Sequence, residues 1–558
     1  MEALDWLVIG VFFLALIGII VWVVRQKQND SADYFLGGRD ATWLAIGASI
    51  FASNIGSEHL IGLAGAGASS GMAMAHWEIQ GWMILILGWV FVPFYTRSMV
   101  YTMPEFLERR YNPQSRTILS VISLVSYVLT KVAVTVYAGG LVFQQVFGIK
   151  ELWGIDFFWI AAIGLVVLTA LYTIFGGMKS VLYTSVLQTP ILLLGSLIIL
   201  VLGFKELGGW DEMMRVCGAV TVNDYDDTMT NLIRSNDDAN FPWLGALIGS
   251  AIIGFWYWCT DQFIVQRVLS GKNEMEARRG TIFGAYLKLT PVFLFLIPGM
   301  VAFAMQKHGI TVNGETFTMS SADAAFPTLV AKLLPAGFKG LVVCGILAAL
   351  MSSLASLFNS SAMLFTIDFY KKYRPKASEK TLLYVGRVAT VVVVVLGILW
   401  IPVMKSVGSV LYNYLQDVQS VLAPGIAAAF LLGICSKKAT PKGGMWGLIA
   451  GFIIGITRLG AKVYYTSGAT FSDSWFKYLF YDTNWLFFCG GMLLFCMLVI
   501  VVVSRFTTPA PAEQIVGLTF GSTTDEQKAV TRASWNKWDV IHSAIIILIT
   551  VVFYWYFW

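Results

Sequence analysis

Apolar runs of roughly twenty residues follow one another along this chain, separated by short stretches that collect the charged residues. A helix needs about 20 mostly apolar residues to cross a bilayer. The pattern therefore predicts fourteen spanning helices, at residues 4–24, 43–70, 74–96, 116–146, 154–175, 181–204, 241–266, 281–304, 326–370, 382–404, 409–434, 443–460, 484–504 and 539–557. The ninth range is longer than a bilayer needs, so part of it should project into the cytoplasm. The stretch "NIGSEHLIGLAGAGASSG", Asn54 to Gly71, breaks the apolar pattern of the second span. A bilayer offers no water to an exposed peptide group. Irregular backbone is tolerated there only where protein covers it or where it lines a cavity.

Charge placement sets the orientation. With the amino terminus outside, the inner loops hold 25 of the 38 Lys and Arg residues, as the positive-inside rule requires. An even number of spans then puts both termini outside. The net charge of +5 is thus a topology signal and not a nucleic-acid footprint. Composition agrees: 57% of the 558 residues are hydrophobic and 13% charged, with a mean hydropathy of +0.71, whereas soluble domains carry about 25% charged residues. The first apolar run is too long for a signal-peptide core and has no cleavage motif after it, so it reads as a retained span.

Cys217 stands alone in a loop and the other five cysteines lie in or beside spans; the four histidines do not cluster. No zinc site, disulfide framework or enzyme reading gains support. The outer loop from Lys205 to Asn240 is acidic and reads as a solvated cap. No glycosylation sequon falls in an outer loop, which leans toward a bacterial protein.

Polar groups inside a membrane are costly, and each is a functional hypothesis. Here they fall into two sets. Unwinding at Gly56 in "ASNIGS" frees carbonyls such as those of Ala52 and Ile55, and Ser352 and Ser353 offer hydroxyls. Neutral oxygens suit a hard monovalent cation such as sodium, because a divalent ion wants several carboxylates. The same serines also fit plain helix–helix hydrogen bonding. The second set, His59, Glu78, Lys288 and Gln416, mixes one anion, one cation and two neutral groups. The charges can pair and leave hydrogen-bonding capacity for neutral hydroxyls. Trp256, Tyr257 and Trp258 offer flat faces for a sugar ring, or simple packing. The alternative for Glu78 and Lys288 is a structural salt bridge, but such a pair costs desolvation on both sides. The break near Gly56 and the polar cluster after Gly254, in corresponding halves, point to a secondary transporter with inverted repeats. The residues themselves lead to an ion-coupled transporter of a neutral polar solute.

At these positions the chain resembles the sodium:solute symporter family, and its sodium/glucose branch. The resemblance is carried by "DYFLGGRDATWLAIGASIFASNIGSEHLIGLAGAGASSG", "YTMPEFLERRY", "YTIFGGMKSVLYTSVLQT", "WYWCTDQFIVQRVLS", "YLKLTPVFLFLIPGM", "LMSSLASLFNSSAMLFTIDFY" and "YLQDVQSVLAPGIAAAFLLG", in the family's order. It implies an all-α polytopic membrane protein with the LeuT-type fold and one transmembrane domain over residues 1–558. Residues 4–24 form an extra N-terminal helix, 43–204 and 241–434 two inverted five-helix repeats, and 443–557 extra C-terminal helices.

By position, the resemblance puts the sodium ligands on the carbonyls of Ala52, Ile55 and Ala349 and the hydroxyls of Ser352 and Ser353. It puts sugar contacts on His59, Glu78, Lys288 and Gln416, with Trp258 lining the pocket. Tyr257 falls at the inner gate with Asn54 as its hydrogen-bond partner, and Leu63, Trp77 and Tyr412 at outer apolar contacts. Relatives with a second sodium site have Asp where this chain has Ser185, and a hydroxyl residue where it has Ala355. The resemblance implies sodium-coupled transport of a monosaccharide such as glucose or galactose, with one sodium per sugar. Its alternatives are another neutral polyol such as myo-inositol, or a sugar sensor or sugar-gated ion conductor. Sodium is the coupling ion, no organic cofactor is expected, and the protein should work as a monomer in a plasma membrane, the inner membrane of a bacterium.

Overall fold

The computed structural model describes the chain except residues 27, 57, 408–410 and 467–473, and describes the backbone alone at 129, 130, 141, 145, 403–407, 411–417, 466 and 474. Eleven helices among the described residues are long and apolar enough to cross a membrane, fewer than the fourteen expected, and the difference has three sources. Helix Trp43–Asn54 is only 12 residues long because the second span breaks after it. The fourth range is assembled from helix Pro113–Ser126, a wide helical turn at Tyr127–Val132 and helix Ala133–Phe147. The fifth and sixth ranges lie on one 51-residue segment, Phe157–Leu207, kinked at Gly177. The kink puts Gly177 at φ 55°, ψ −148°, which glycine adopts without the Cβ clash other residues would meet.

The ninth range needs correction. It covers two helices, Ala325–Leu333 and Phe338–Met363, separated at Pro335 and Gly337. Proline removes a backbone donor and Gly337 has φ 84°, so the helix stops and restarts. The restart is capped from outside its own segment. Asp5, on the first span, accepts hydrogen bonds from the backbone N–H groups of Gly337 (2.7 Å) and Gly340 (2.8 Å). A carboxylate there satisfies orphan donors and complements the helix dipole.

Both halves of the broken second span pack on the eighth through glycines. A Cβ at Gly47 would overlap Phe283 and the Gly280 carbonyl. A Cβ at Gly67 would overlap the Leu296 carbonyl, and one at Gly299 the Ala64 carbonyl. Small residues let backbones approach in this way inside membranes. The two contacts flank the break, so the break is held against the middle of the eighth span. Phe338–Tyr373 is the most central segment, with 89% of its apolar window buried, against 22% for each of Ala3–Val24 and Lys537–Tyr556. The central helices therefore carry the candidate sites, and the two outermost offer apolar faces to lipid.

The acidic loop from Lys205 to Asn240 is more than a solvated cap. It contains helix Trp210–Gly218. Met72 N–H donates to the Met229 carbonyl at 2.8 Å and Leu232 N–H to the Phe557 carbonyl at 3.0 Å. His76 Nδ1 lies 2.9 Å from the Tyr554 hydroxyl and its Nε2 3.0 Å from the Leu232 carbonyl. The loop is thus tied to the third and last expected spans.

Candidate functional site

Glu78 ends the short helix Ala75–Glu78, and Ile79 and Gln80 leave helical geometry before a new helix starts at Gly81. Lys288 ends helix Glu274–Lys288, just before Pro291. Two helix ends therefore present their last side chains to each other. Lys288 Nζ lies 2.6 Å from Glu78 Oε2, and His59 Nε2 lies 3.2 Å from the same oxygen. All three residues are buried. Trp258 presents its ring 5.4 Å from Lys288 Nζ, a cation–π contact. These groups line a cavity of about 60 Å³, measured as the space open to the centre of a water-sized sphere.

The cavity brings together seven of the ten residues expected at the substrate site or gate: Asn54, His59, Trp77, Glu78, Tyr257, Trp258 and Lys288. Leu63 is fully buried but is not on the cavity wall. Gln416 and Tyr412 lie outside the described side chains. Gln419, one helical turn after Gln416, does line the cavity, as do Glu58 and Gln80. Gln80 is buried and donates from Nε2 to the Ser250 carbonyl at 2.8 Å. Its polar side chain in an apolar run was visible in the sequence; its direction was set by the helix break at Ile79 and was not.

Two of the residues expected to hold a cation, Ala52 and Ile55, lie at the break in the second span. Ile55 is extended, at φ −78°, ψ 107°, so the helix cannot continue. Ile55 N–H returns to the Phe51 carbonyl at 3.0 Å. Among the described residues, no backbone N–H bonds the carbonyls of Ala52 or Ile55. On helix Phe338–Met363, Ala349, Ser352 and Ser353 share one face by their spacing. Ser352 Oγ lies 3.2 Å from Ser185 Oγ, and Ser53 Oγ lies 2.7 Å from Ser356 Oγ. Neutral carbonyl and hydroxyl oxygens of this kind fit sodium. Among the described residues there is no group of three or more His, Cys, Asp or Glu side chains arranged for a metal, so a divalent site gains no support there.

One expectation about the gate changes and one becomes specific. Within the polar cluster after Gly254, the seventh span breaks at Asp261, φ −77° and ψ 126°. Gly254 leads into a wide helical turn, Phe255–Thr260, and Asp261 then caps helix Gln262–Leu269 by accepting from Phe263 N–H at 3.2 Å. Asn54 is not bonded to Tyr257 among the described contacts; its Nδ2 lies 3.4 Å from His59 Nε2. Tyr257 instead lines both the main cavity and a second space of about 20 Å³ that includes Ser353, Lys131 and Glu58. Beside that space Lys131 Nζ pairs with Asp261 at 2.6 Å, and the Tyr127 hydroxyl donates to Asp261. In the sequence Lys131 is simply a basic residue within the fourth expected span. Its partner, 130 residues away, left no local signal.

A buried, charge-compensated polar cavity beside two broken helices defines a secondary transporter of the LeuT type. The fold agrees with that of a sodium-coupled sialic acid symporter solved in a substrate-bound, outward-open state, at a TM-score of 0.73 and 21% identity over 91% of this chain and 99% of that one. The chain belongs to the sodium:solute symporter family, whose model matches residues 34–451. It is therefore a transporter and not an enzyme. It is 38% identical over 533 residues to the sodium/glucose cotransporter 1 of Ovis aries, covering 91% of this chain and 79% of that protein. It is also 38% identical over 552 residues to the sodium/glucose cotransporter 2 of Rattus norvegicus, covering 92% and 80%. The same identity holds over 540 residues with the sodium/glucose cotransporter 4 of Homo sapiens, covering 93% and 78%.

Proposed function

We propose that this protein couples sodium entry to uptake of a monosaccharide such as glucose or galactose, moving one sodium ion per sugar. The reading rests on the Glu78–Lys288 pair on the wall of the cavity. The two charges cancel, so the cavity favours a neutral solute. Each charged group keeps hydrogen-bonding capacity for hydroxyls. The Trp258 ring offers a face to the C–H side of a sugar. A carboxylate-bearing solute would meet Glu78 directly. The names of the relatives support the same substrate class.

Sodium would bind at Ala52, Ile55, Ala349, Ser352 and Ser353, hold the outward-open state and complete the sugar pocket, so that each ligand favours the other. Gln416 would join His59, Glu78 and Lys288 on the sugar, while Tyr412 and Leu63 contribute outer apolar contacts. A single sodium ion falling through roughly 100 mV supplies about 2.3 kcal/mol, and a tenfold sodium gradient adds about 1.4 kcal/mol. Together that concentrates a neutral sugar roughly several-hundredfold. A second ion would find Ser185 and Ala355 where a carboxylate and a hydroxyl are needed. The proposal places the protein as a monomer in a bacterial inner membrane, with fourteen crossings, inverted repeats at 43–204 and 241–434, and both termini outside.

Uptake of radiolabelled glucose and galactose into proteoliposomes, with and without an inward sodium gradient, tests the reading. Sodium-driven accumulation of either sugar supports it. Accumulation of myo-inositol alone moves the substrate to another polyol. Sugar-evoked current without accumulation makes the protein a sugar-gated conductor.

A further inference from the structure

Two polar atoms of residues on the cavity wall are left over when the protein's own hydrogen bonds are counted. Trp77 Nε1 and His59 Nδ1 are buried, and neither has a partner among the described residues. An indole N–H can only donate. His59 Nε2 faces a Glu78 oxygen at 3.2 Å. A carboxylate only accepts, so in the neutral ring the proton sits on Nε2. The Asn54 amide then turns its oxygen toward that N–H, and Nδ1 remains an acceptor. The wall thus offers one unmet donor and one unmet acceptor. Hydroxyl groups answer both needs, since each donates and accepts.

The Trp77 indole is held in place. It stacks on Trp485, with ring centres 5.5 Å apart and planes at 18°, and Phe241 meets it edge-on at 6.1 Å. Trp485 opens helix Trp485–Arg505, in the C-terminal part of the chain. Asn484 fixes that helix start: its Oδ1 accepts from Leu486 N–H at 2.9 Å and its Nδ2 donates to the Ala239 carbonyl at 2.8 Å. Leu486 lies against Gly245 and Gly249 of the seventh span, and a Cβ at Gly249 would come within 2.7 Å of its side chain. An apolar contact needs no N–H, and a phenylalanine would serve that purpose. A fixed indole with an unmet donor does more.

We propose that Trp77 is a specificity-determining residue: its Nε1–H donates to one hydroxyl oxygen of the bound sugar, and Trp485 holds the indole in the donating orientation. This rests on the reading of the cavity as a monosaccharide site. The role expected from sequence, an outer apolar contact, is thereby replaced by a polar one that selects a hydroxyl at a single ring position.

The test is equilibrium binding of radiolabelled galactose and glucose to the purified full-length protein in sodium, with competition by each singly deoxygenated sugar. Wild type is expected to bind one deoxy sugar about tenfold more weakly than its parent through this bond. Trp77→Phe is expected to bind the parent about tenfold more weakly and to show no further loss with that deoxy sugar. Trp485→Ala should weaken the parent and narrow the same difference, while the sodium-induced rise in melting temperature stays as in wild type. Wild-type affinity for the parent in Trp77→Phe overturns the inference, as does equal weakening toward every deoxy sugar. If Trp77→Phe does not fold, Trp485→Ala decides, and an unchanged deoxy-sugar profile there overturns it. A wild-type protein that binds neither parent sugar overturns the monosaccharide reading itself, and the inference with it.

Discussion

Glu78 and Lys288 stand 210 residues apart in the chain and 2.6 Å apart in the fold. His59 reaches the same Glu78 oxygen from the broken second span. Breaking one side of a buried ion pair typically costs about 3–5 kcal/mol, because the other charge is left without its partner. Glu78→Ala should therefore abolish high-affinity sugar binding and lower thermal stability. Equilibrium binding and a melting curve on the purified protein check both. Unchanged sugar affinity would place the site elsewhere.

Tyr257 borders both internal spaces. Tyr257→Phe keeps the ring, and with no Asn54 bond to lose, it should transport with wild-type sodium dependence. Tyr257→Ala removes the partition and should raise sugar-independent sodium entry several-fold. Sodium-22 uptake into proteoliposomes without sugar separates the two variants. A tight Ala variant would assign the barrier to other residues.

Sodium activation of sugar uptake should be hyperbolic, with one ion per sugar. Ser353→Ala removes one proposed oxygen ligand and should raise the half-activating sodium concentration about tenfold or more, the equivalent of about 1.4 kcal/mol. Dual-isotope flux giving two sodium ions per sugar would refute the single-site reading.

Asp5 caps a helix that begins 332 residues later in the chain. Asp5→Ala leaves the N–H groups of Gly337 and Gly340 without their carboxylate, at a cost of about 1–2 kcal/mol. The purified variant should melt earlier than wild type. Asp5→Asn, which retains an acceptor oxygen, should recover part of the loss. Equal melting of all three would show that the cap carries no stability.

How much of this was readable in advance follows from the range of each interaction. Apolar runs are local, so the helical segments could be placed from the sequence. The break after Asn54 was also local, announced by "NIGS". The polar cluster after Gly254 was local too, but the place of the break within it was not, because the wide turn continues until Asp261 recaps the chain. The split of the ninth range was readable in Pro335 and Gly337 but was masked by the surrounding apolar residues. The partnership of Lys131 with Asp261, and of Trp77 with Trp485, depends on packing between distant segments, which one sequence without its fold does not display.

The shared wall between the two internal spaces sets the range over which the proposed ligands must communicate. Tyr257, Glu58 and Gln419 touch both spaces, and Ser353 lies on the inner one. Coupling between ion and solute then requires no relay across the protein, because the two spaces are neighbours that share Tyr257, Glu58 and Gln419 as a wall. A molecule that wedges the outer compartment open and presses on that wall would freeze the ion's exit as well. Blockers of this protein should accordingly act as non-transported occluders, slowing sodium release together with sugar movement.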